Sequence, residues 1–207
     1  PRLQAWKQSV VDKLVGGVAQ LCKGNGVEVA FAEASFLDAK TVRTRYADGR
    51  TEDVEFGDAI IATGGRPSDL PAFRFDGKRI ISTKEALELP SIPKTLLVIG
   101  GGISGLEIGT FYAKLGTKVV VIELLEQLLP GTDPEVVRVV ERHLRRLGVE
   151  YHTKSQGRAW REEAGQAIVE ADTPDGALTV PADVILVTVG RHPNTDGLDR
   201  SLPVYRV

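Results

Sequence analysis

The strongest constraint in this chain is a short apolar run that leads straight into a glycine-spaced turn: Leu96 to Ile99, then Gly100, Gly101, Gly102, Ile103, Ser104 and Gly105. A bare GxGxxG arises often by chance, and it carries weight only where it follows a strand, opens a helix and is followed about 20 residues on by an acid. All three conditions hold. The spacing predicts a strand over Leu96–Ile99, a helix from about Ile103 to Leu115 and a β-branched strand over Lys118–Ile122, which Glu123 ends. Such a βαβ unit implies a parallel sheet. Gly100 permits the tight turn, Gly102 lets the backbone come close to a diphosphate, and Gly105 lets the helix pack against the strand. The diphosphate of a dinucleotide then rests on the start of the helix, across Gly100–Leu106, where free amides and the positive end of the macrodipole favour anionic oxygens.

Glu123 is placed to accept hydrogen bonds from the adenine-ribose hydroxyls and to repel a 2′-phosphate. No arginine occurs between Glu123 and Arg138, so the usual guanidinium partner of that phosphate is absent from this stretch. NAD is therefore expected over NADP.

Around this unit the pattern is legible. Val10, Leu14, Val18 and Leu21 recur at helical spacing within Trp6–Lys23, which predicts an amphipathic helix that packs one face and ends at Gly24–Gly26. Strand-like runs follow at Val27–Phe36, Thr41–Tyr46 and Val54–Ala62, with a turn at Ala47, Asp48 and Gly49. Residues 66–94 are rich in proline and read as a connection with a short helix near Thr83–Leu89. Beyond Glu123, Asp133 and Pro134 open a helix to about Leu147, with Gly148 just past its end. Two polar strands about a turn at Ala164–Gly165, a turn at Pro174–Gly176 and a buried-looking strand Val184–Val189 complete the unit. The fold class expected is α/β: a Rossmann-like NAD-binding domain, a parallel sheet with an antiparallel β excursion, joined to part of a second Rossmann-like domain.

Composition narrows the partners. A net charge of −2, from 26 basic and 28 acidic side chains, gives no footprint for nucleic acid or an anionic membrane surface. The longest apolar runs fall well short of the roughly 18 residues of a membrane span. Cys22 is the only cysteine, so no intrachain disulfide can form, and the usage fits a reducing cytoplasm. His143, His152 and His192 are scattered without metal-ligand spacing. The chain begins at Pro1 and contains no methionine, so it reads as an excerpt of a longer protein.

The stretches Ile92–Gly109, Leu128–Asp133 and Val189–Asn194 resemble the pyridine-nucleotide-disulfide oxidoreductases, and Lys13–Val18 with Ala62–Gly64 narrow the resemblance to the dihydrolipoamide dehydrogenase branch. It covers nearly the whole chain, as a middle portion of the family's length. The resemblance implies an FAD- and NAD-dependent, homodimeric enzyme that reoxidises lipoyl-bearing proteins docked on the acyltransferase core of 2-oxo acid dehydrogenase complexes, or serves glycine cleavage. It also implies the domain plan: residues 1–93 and 191–207 belong to the FAD domain, which an NAD domain of residues 94–190 interrupts. By the same resemblance Ala34, Thr63, Gly64 and Gly65 border the FAD site, Glu107 lies beside the nicotinamide ribose, Ser155 near the adenine and Gly190 on the nicotinamide side. Ser104 stands where the family has an apolar residue. The family's first GxGxxG, its CxxxxC redox pair, its later Gly-Asp motif and its C-terminal domain have no match, so this chain alone is expected not to turn over. Two other readings remain open: a sister disulfide reductase of mercuric or glutathione reductase type, and a free-standing NAD-binding module.

Overall fold

In the computed structural model, which describes residues 2–198, the chain divides into two units: residues 1–65 with 193–207, and residues 66–192.

The first unit opens with helix α1 (Arg2–Gly24), followed by an antiparallel sheet of β1 (Ala32–Phe36), β2 (Thr41–Tyr46) and β3 (Thr51–Glu55). The helix forms as its periodicity predicts, but no residue of it is buried: Trp6, Leu14 and Leu21 are each about two-thirds exposed. The expected packing of one face is therefore corrected, because no layer of the described chain covers the stripe. The first strand is also shorter than its apolar pattern suggests, and the third, expected over Val54–Ala62, lies instead at Thr51–Glu55. A strand exists only where a neighbour receives its backbone hydrogen bonds. Ala32–Phe36 faces Tyr46–Val42, whereas Val27–Phe31 pairs with no strand among the described residues, and Phe31 is 90% exposed. Likewise β3 ends at Glu55, and Ile60 is 95% exposed.

The second unit carries β4 (Gly65–Pro67), β5 (Ile80–Ile81), α2 (Thr83–Ala86), β6 (Thr95–Ile99), α3 (Ile103–Lys114), β7 (Lys118–Ile122), α4 (Pro134–Arg146), β8 (Glu150–His152), β9 (Gln156–Glu163), β10 (Gln166–Thr173), β11 (Gly176–Ala182), β12 (Val184–Val187) and β13 (Arg191–Pro193). Strands β4 and β13, which carry the chain into and out of the unit, pair with each other. Five strands form a wholly parallel sheet in the order β5-β12-β6-β7-β8, and β9, β10 and β11 form an antiparallel sheet. Alternate residues of β6 explain the layering. Leu96 and Val98 point into a core shared with Leu106, Ile108 and Tyr112 of α3 and Val137 and Leu144 of α4. Leu97 and Ile99 point into a second core with Val169, Ala171 and Val180 of the antiparallel sheet. A strand covered on both faces must be apolar at every position, which is why it reads as an unbroken run.

Local signals set the boundaries. Asp133 caps α4 by accepting from the Glu135 amide at 2.7 Å, Pro134 occupies the first turn, and Gly148 takes a φ of +72° just past the end. Between residues 66 and 94, Ser82 and Glu85 form a reciprocal capping box on α2, and Phe73 is fully buried. Ile80 and Ile81 pair with β12, so this proline-rich stretch packs as part of the second unit, upstream of the change of pattern at Lys94.

Asp183 ties the sheet at its N-terminal edge. Its Oδ2 accepts from the amides of Lys94 and Thr95 at 2.8 and 3.0 Å, and its Oδ1 accepts from Gln166 Nε2 at 3.0 Å. Partial burial pushes its pKa up, but the Gln166 amide and the two backbone N–H groups outweigh that, and the pKa lies below the usual carboxylate value. A depressed folded-state pKa means that the stabilisation is present above the unfolded value of about 3.9 and is lost as pH falls through the lower folded value. Asp183→Asn, which cannot accept both amides and Gln166 as a charged acceptor does, is expected to cost about 1.5–3 kcal/mol at pH 7 in urea unfolding, and the deficit is expected to shrink below about pH 4. A deficit independent of pH would show that the charge of Asp183 is not what holds this edge.

Candidate functional site

In a parallel α/β sheet the ligand crevice lies beyond the carboxyl ends of the strands where the order reverses. Here that point falls between β6 and β12, because the chain leaves β6 toward β7 and β8 on one side and returns on the other side to β12, which enters between β6 and the earlier strand β5. A cleft of about 700 Å³ opens there, within the second unit, lined by Gly100, Gly102, Glu123, Ser155, Thr188 and Gly190 with an apolar wall that includes Leu70, Phe73, Ile99, Leu124 and Leu125. Its volume lies in the range of small-molecule and cofactor sites.

The glycine turn forms the floor. Gly100 has a φ of +109°, its N–H donates to Ile122 O at 2.9 Å, and a Cβ there would fall 2.8 Å from the carbonyl oxygen of Thr188. Gly101 donates its N–H to Glu123 Oε2 at 2.6 Å and accepts from the Leu129 amide at 2.9 Å. Gly102 caps α3 with an extended backbone, and a Cβ on it would meet nothing within 4 Å. No side chain caps this helix, so its first-turn amides are left for an anionic group in the cleft. Gly105 lies against the strand, where a Cβ would come within 2.2 Å of Gly100 O.

Glu123 is 6% exposed at the end of β7. Besides the Gly101 amide, its carboxylate accepts from the Leu125 amide through Oε1 at 2.8 Å. A carboxylate offers about four lone-pair positions, so acceptor capacity remains for hydroxyls in the cleft. The loop after β8 lies alongside: Ser155 donates its amide to Glu123 O at 2.9 Å, its hydroxyl to Thr153 O at 2.8 Å, and is 1% exposed. Lys154, at a φ of +51°, donates its amide to Leu125 O at 2.8 Å and pairs its ammonium with Glu126 at 3.1 Å.

Of the residues singled out in the sequence, Gly100, Gly102, Glu123, Ser155 and Gly190 come together around the cleft. Gly190, at a φ of +134°, accepts from the Ser68 amide at 3.0 Å. Leu106 is buried in the helix-side core, while Ile103, Ser104 and Glu107 are exposed on α3 and do not line the cleft. In the first unit, Thr63 and Asn194 hold each other twice: Thr63 Oγ1 donates to Asn194 O at 2.6 Å, and Asn194 Nδ2 donates to Thr63 O at 3.0 Å. The Asn194 amide also donates to Gly64 O at 3.0 Å, Gly64 takes a φ of +71°, and Gly65 begins β4. Ala34 sits elsewhere in that unit, exposed on β1 opposite Thr44.

Sequence reasoning missed Thr188 and the wall. Thr188 directly precedes the Val189–Asn194 stretch, a position that could have marked it. Phe73, which packs beneath Gly157, and Arg158, at the cleft edge in an ion pair with Asp172, carry no local signal.

A parallel sheet with helices on one face, an uncapped helix start at a glycine turn and a buried acid at the end of the next strand define a dinucleotide-binding unit of Rossmann type. A family model described as pyridine nucleotide-disulphide oxidoreductase matches residues 2–205, and the chain belongs to that family. It is 42% identical over 201 residues to a dihydrolipoyl dehydrogenase of Haloferax volcanii, covering 96% of this chain and 42% of that protein. It is 44% identical over 197 residues to a dihydrolipoyl dehydrogenase of Geobacillus stearothermophilus, covering 95% and 42%. The chain thus spans about two-fifths of the length of these relatives. The crystal structure of LpdA from Mycobacterium tuberculosis superposes with a TM-score of 0.84 at 26% identity, over 95% of this chain and 44% of that one. The HOCl-induced flavoprotein disulfide reductase RclA from Escherichia coli, at 22% identity and a TM-score of 0.78 over 97% of this chain and 45% of that one, shares the fold. No helix among the described residues is long and apolar enough to cross a membrane.

Proposed function

We propose that residues 94–190 are the NAD-binding domain, and residues 1–93 and 191–207 part of the FAD-binding domain, of a dihydrolipoamide dehydrogenase. The observation that carries this reading is the buried Glu123 carboxylate, which grips the Gly101 amide at 2.6 Å beside a Gly102 whose outer side is open. One group thereby orders the diphosphate turn and presents an acceptor to the adenine ribose. When bound, NAD would accept hydride and FAD would relay the two electrons from the reduced thiols of an active-site cysteine pair.

This chain's own residues do the holding. The first-turn amides of α3 receive the diphosphate, with Gly101 and Ser104 flanking the turn. Glu123 receives the ribose hydroxyls and excludes a 2′-phosphate. The Ser155 backbone borders the adenine, Leu124 and Leu125 cover it, and Gly190 with Glu107 serve the nicotinamide half. In the first unit, Ala34, Thr63, Gly64 and Gly65 form this chain's share of the FAD site, with Thr63 and Gly64 fixed by Asn194.

The whole protein would oxidise dihydrolipoyl groups carried on the acyltransferase core of a 2-oxo acid dehydrogenase complex: two thiols close to a disulfide, and the two electrons leave on NAD. It would work as a cytoplasmic homodimer. With Cys22 as its only cysteine, this chain cannot form the redox disulfide. The NADP-dependent sister reductases fit less well, because a 2′-phosphate would face the Glu123 carboxylate.

Fluorescence titration of the purified chain with NADH and NADPH tests the reading. NADH is expected to bind at least tenfold more tightly than NADPH, a difference of about 1.4 kcal/mol. Equal affinities, or none for either nucleotide, would remove the support for Glu123 and for the cleft as an NAD site.

A further inference from the structure

The turn between β6 and α3 is held from two sides, and only one side has a role so far. Gly100 C=O and Gly101 N–H belong to a single peptide unit, which is planar and trans, so the two groups point in opposite directions from one rigid plate. The Gly101 N–H end is taken by Glu123 Oε2 at 2.6 Å. The Gly100 C=O end is taken by Thr188, whose Oγ1 donates to Gly100 O at 3.0 Å while also lying 3.2 Å from Ile99 O. Thr188 is itself fixed at the end of β12, because its amide donates to Ile99 O at 2.8 Å and extends the β6–β12 pairing by one step. Its hydroxyl therefore reaches one residue past the last pairing of the sheet, onto the turn.

Resting on the reading of the cleft as an NAD site, we propose that Thr188 is a positioning residue for the nucleotide, the counter-anchor that sets the Gly100–Gly101 peptide against Glu123. The orientation of this peptide sets where Gly102 and the first turn of α3 begin, and hence where the diphosphate-binding amides point. It also sets the direction from which Glu123 is pulled, so the hydroxyl couples the diphosphate end of the cleft to the ribose end. Packing alone does not account for the choice of threonine. Valine would fill the same space, but it would leave the Gly100 carbonyl without a side-chain donor and free to tilt away from β12.

The test is NADH titration, followed by ligand fluorescence, on Thr188→Val and Thr188→Ser, with thermal unfolding of each. Loss of this hydrogen bond is expected to raise the NADH dissociation constant about tenfold in Thr188→Val, while Thr188→Ser, which keeps the donor, stays within about twofold of wild type. A purely structural role would instead make binding follow the lost methyl, so that serine weakens binding while valine, which keeps the methyl, does not. Should Thr188→Val fail to fold, Thr188→Ala against Thr188→Ser gives the same comparison. Valine binding within about twofold of wild type, or serine losing as much as valine, overturns the proposal while leaving the cleft assignment standing. A wild-type chain without NADH affinity overturns both.

Discussion

Replacing Gly105 by alanine is expected to cost about 3 kcal/mol of stability and to abolish measurable NADH binding, because inserted bulk in a packed site forces backbone shifts. The new Cβ would stand 2.2 Å from Gly100 O, 2.6 Å from Thr188 Oγ1 and 3.0 Å from Val98 Cγ1. The first of these is backbone, and the carbonyl cannot rotate away without releasing the Thr188 hydroxyl and turning the Gly101 amide off Glu123. Helix α3 must then lift from the sheet, uncovering Leu106 and Ile108. Gly102→Ala supplies the contrast. Its Cβ would enter open space on an extended backbone that any residue adopts, so stability should change by no more than about 0.5 kcal/mol. The methyl would nevertheless occupy the approach of the diphosphate and weaken NADH by at least about tenfold. Urea unfolding and NADH titration of both variants separate the two roles. If Gly102→Ala bound NADH like wild type, the diphosphate could not lie over this turn.

Glu123→Gln should be nearly as damaging as Glu123→Ala, although the glutamine has the same shape. The carboxylate accepts from Gly101 N–H through one oxygen and from Leu125 N–H through the other. A carboxamide has one oxygen and one NH₂, so whichever way it is turned, one backbone donor faces another donor. A buried N–H left without an acceptor costs about 1–3 kcal/mol, and the loss falls on both stability and the order of the turn. NADH affinity should drop about tenfold or more, while NADPH, relieved of repulsion by the lost charge, should change less, so that the preference narrows. A Glu123→Gln chain with unchanged melting temperature and NADH affinity would show that the site needs neither the charge nor an acceptor for both amides.

The legible parts of this fold are those with local causes. Leu96–Ile99, the glycine turn, Lys118–Ile122 and the capped helix from Pro134 all take their conformation from residues within a few positions, and they stand where the pattern puts them. Strand β8 has three residues, too few for any period to show, and it exists because Val120–Ile122 offers an open edge. Strand β5 is two residues inside a proline-rich stretch and is made by its pairing with β12. In the first unit the error ran the other way: Val27–Phe31 has strand composition but no neighbour to pair with among the described residues. The cleft shows the same division. Gly100, Gly102 and Glu123 are readable because motif spacing ties them together, whereas Thr188 lies 88 positions from the carbonyl it holds. Its role appears only once β12 is laid beside β6.

That insertion of β12 has a consequence for the order in which the unit can be built. The strand lies between β5 and β6, yet it is the last of the five to be made, after the whole antiparallel excursion of β9, β10 and β11. On the ribosome, β6, α3 and β7 can emerge and associate early, but β5 then has no partner, and one edge of β6 stays open until Val187 has left the exit tunnel. Pairings this far apart in sequence are slow, since the intervening loop must be ordered before the contact rewards it. The glycine turn is thus synthesised long before the residue that steadies it, and the nascent chain acquires a finished nucleotide cleft only at the very end of the unit's synthesis.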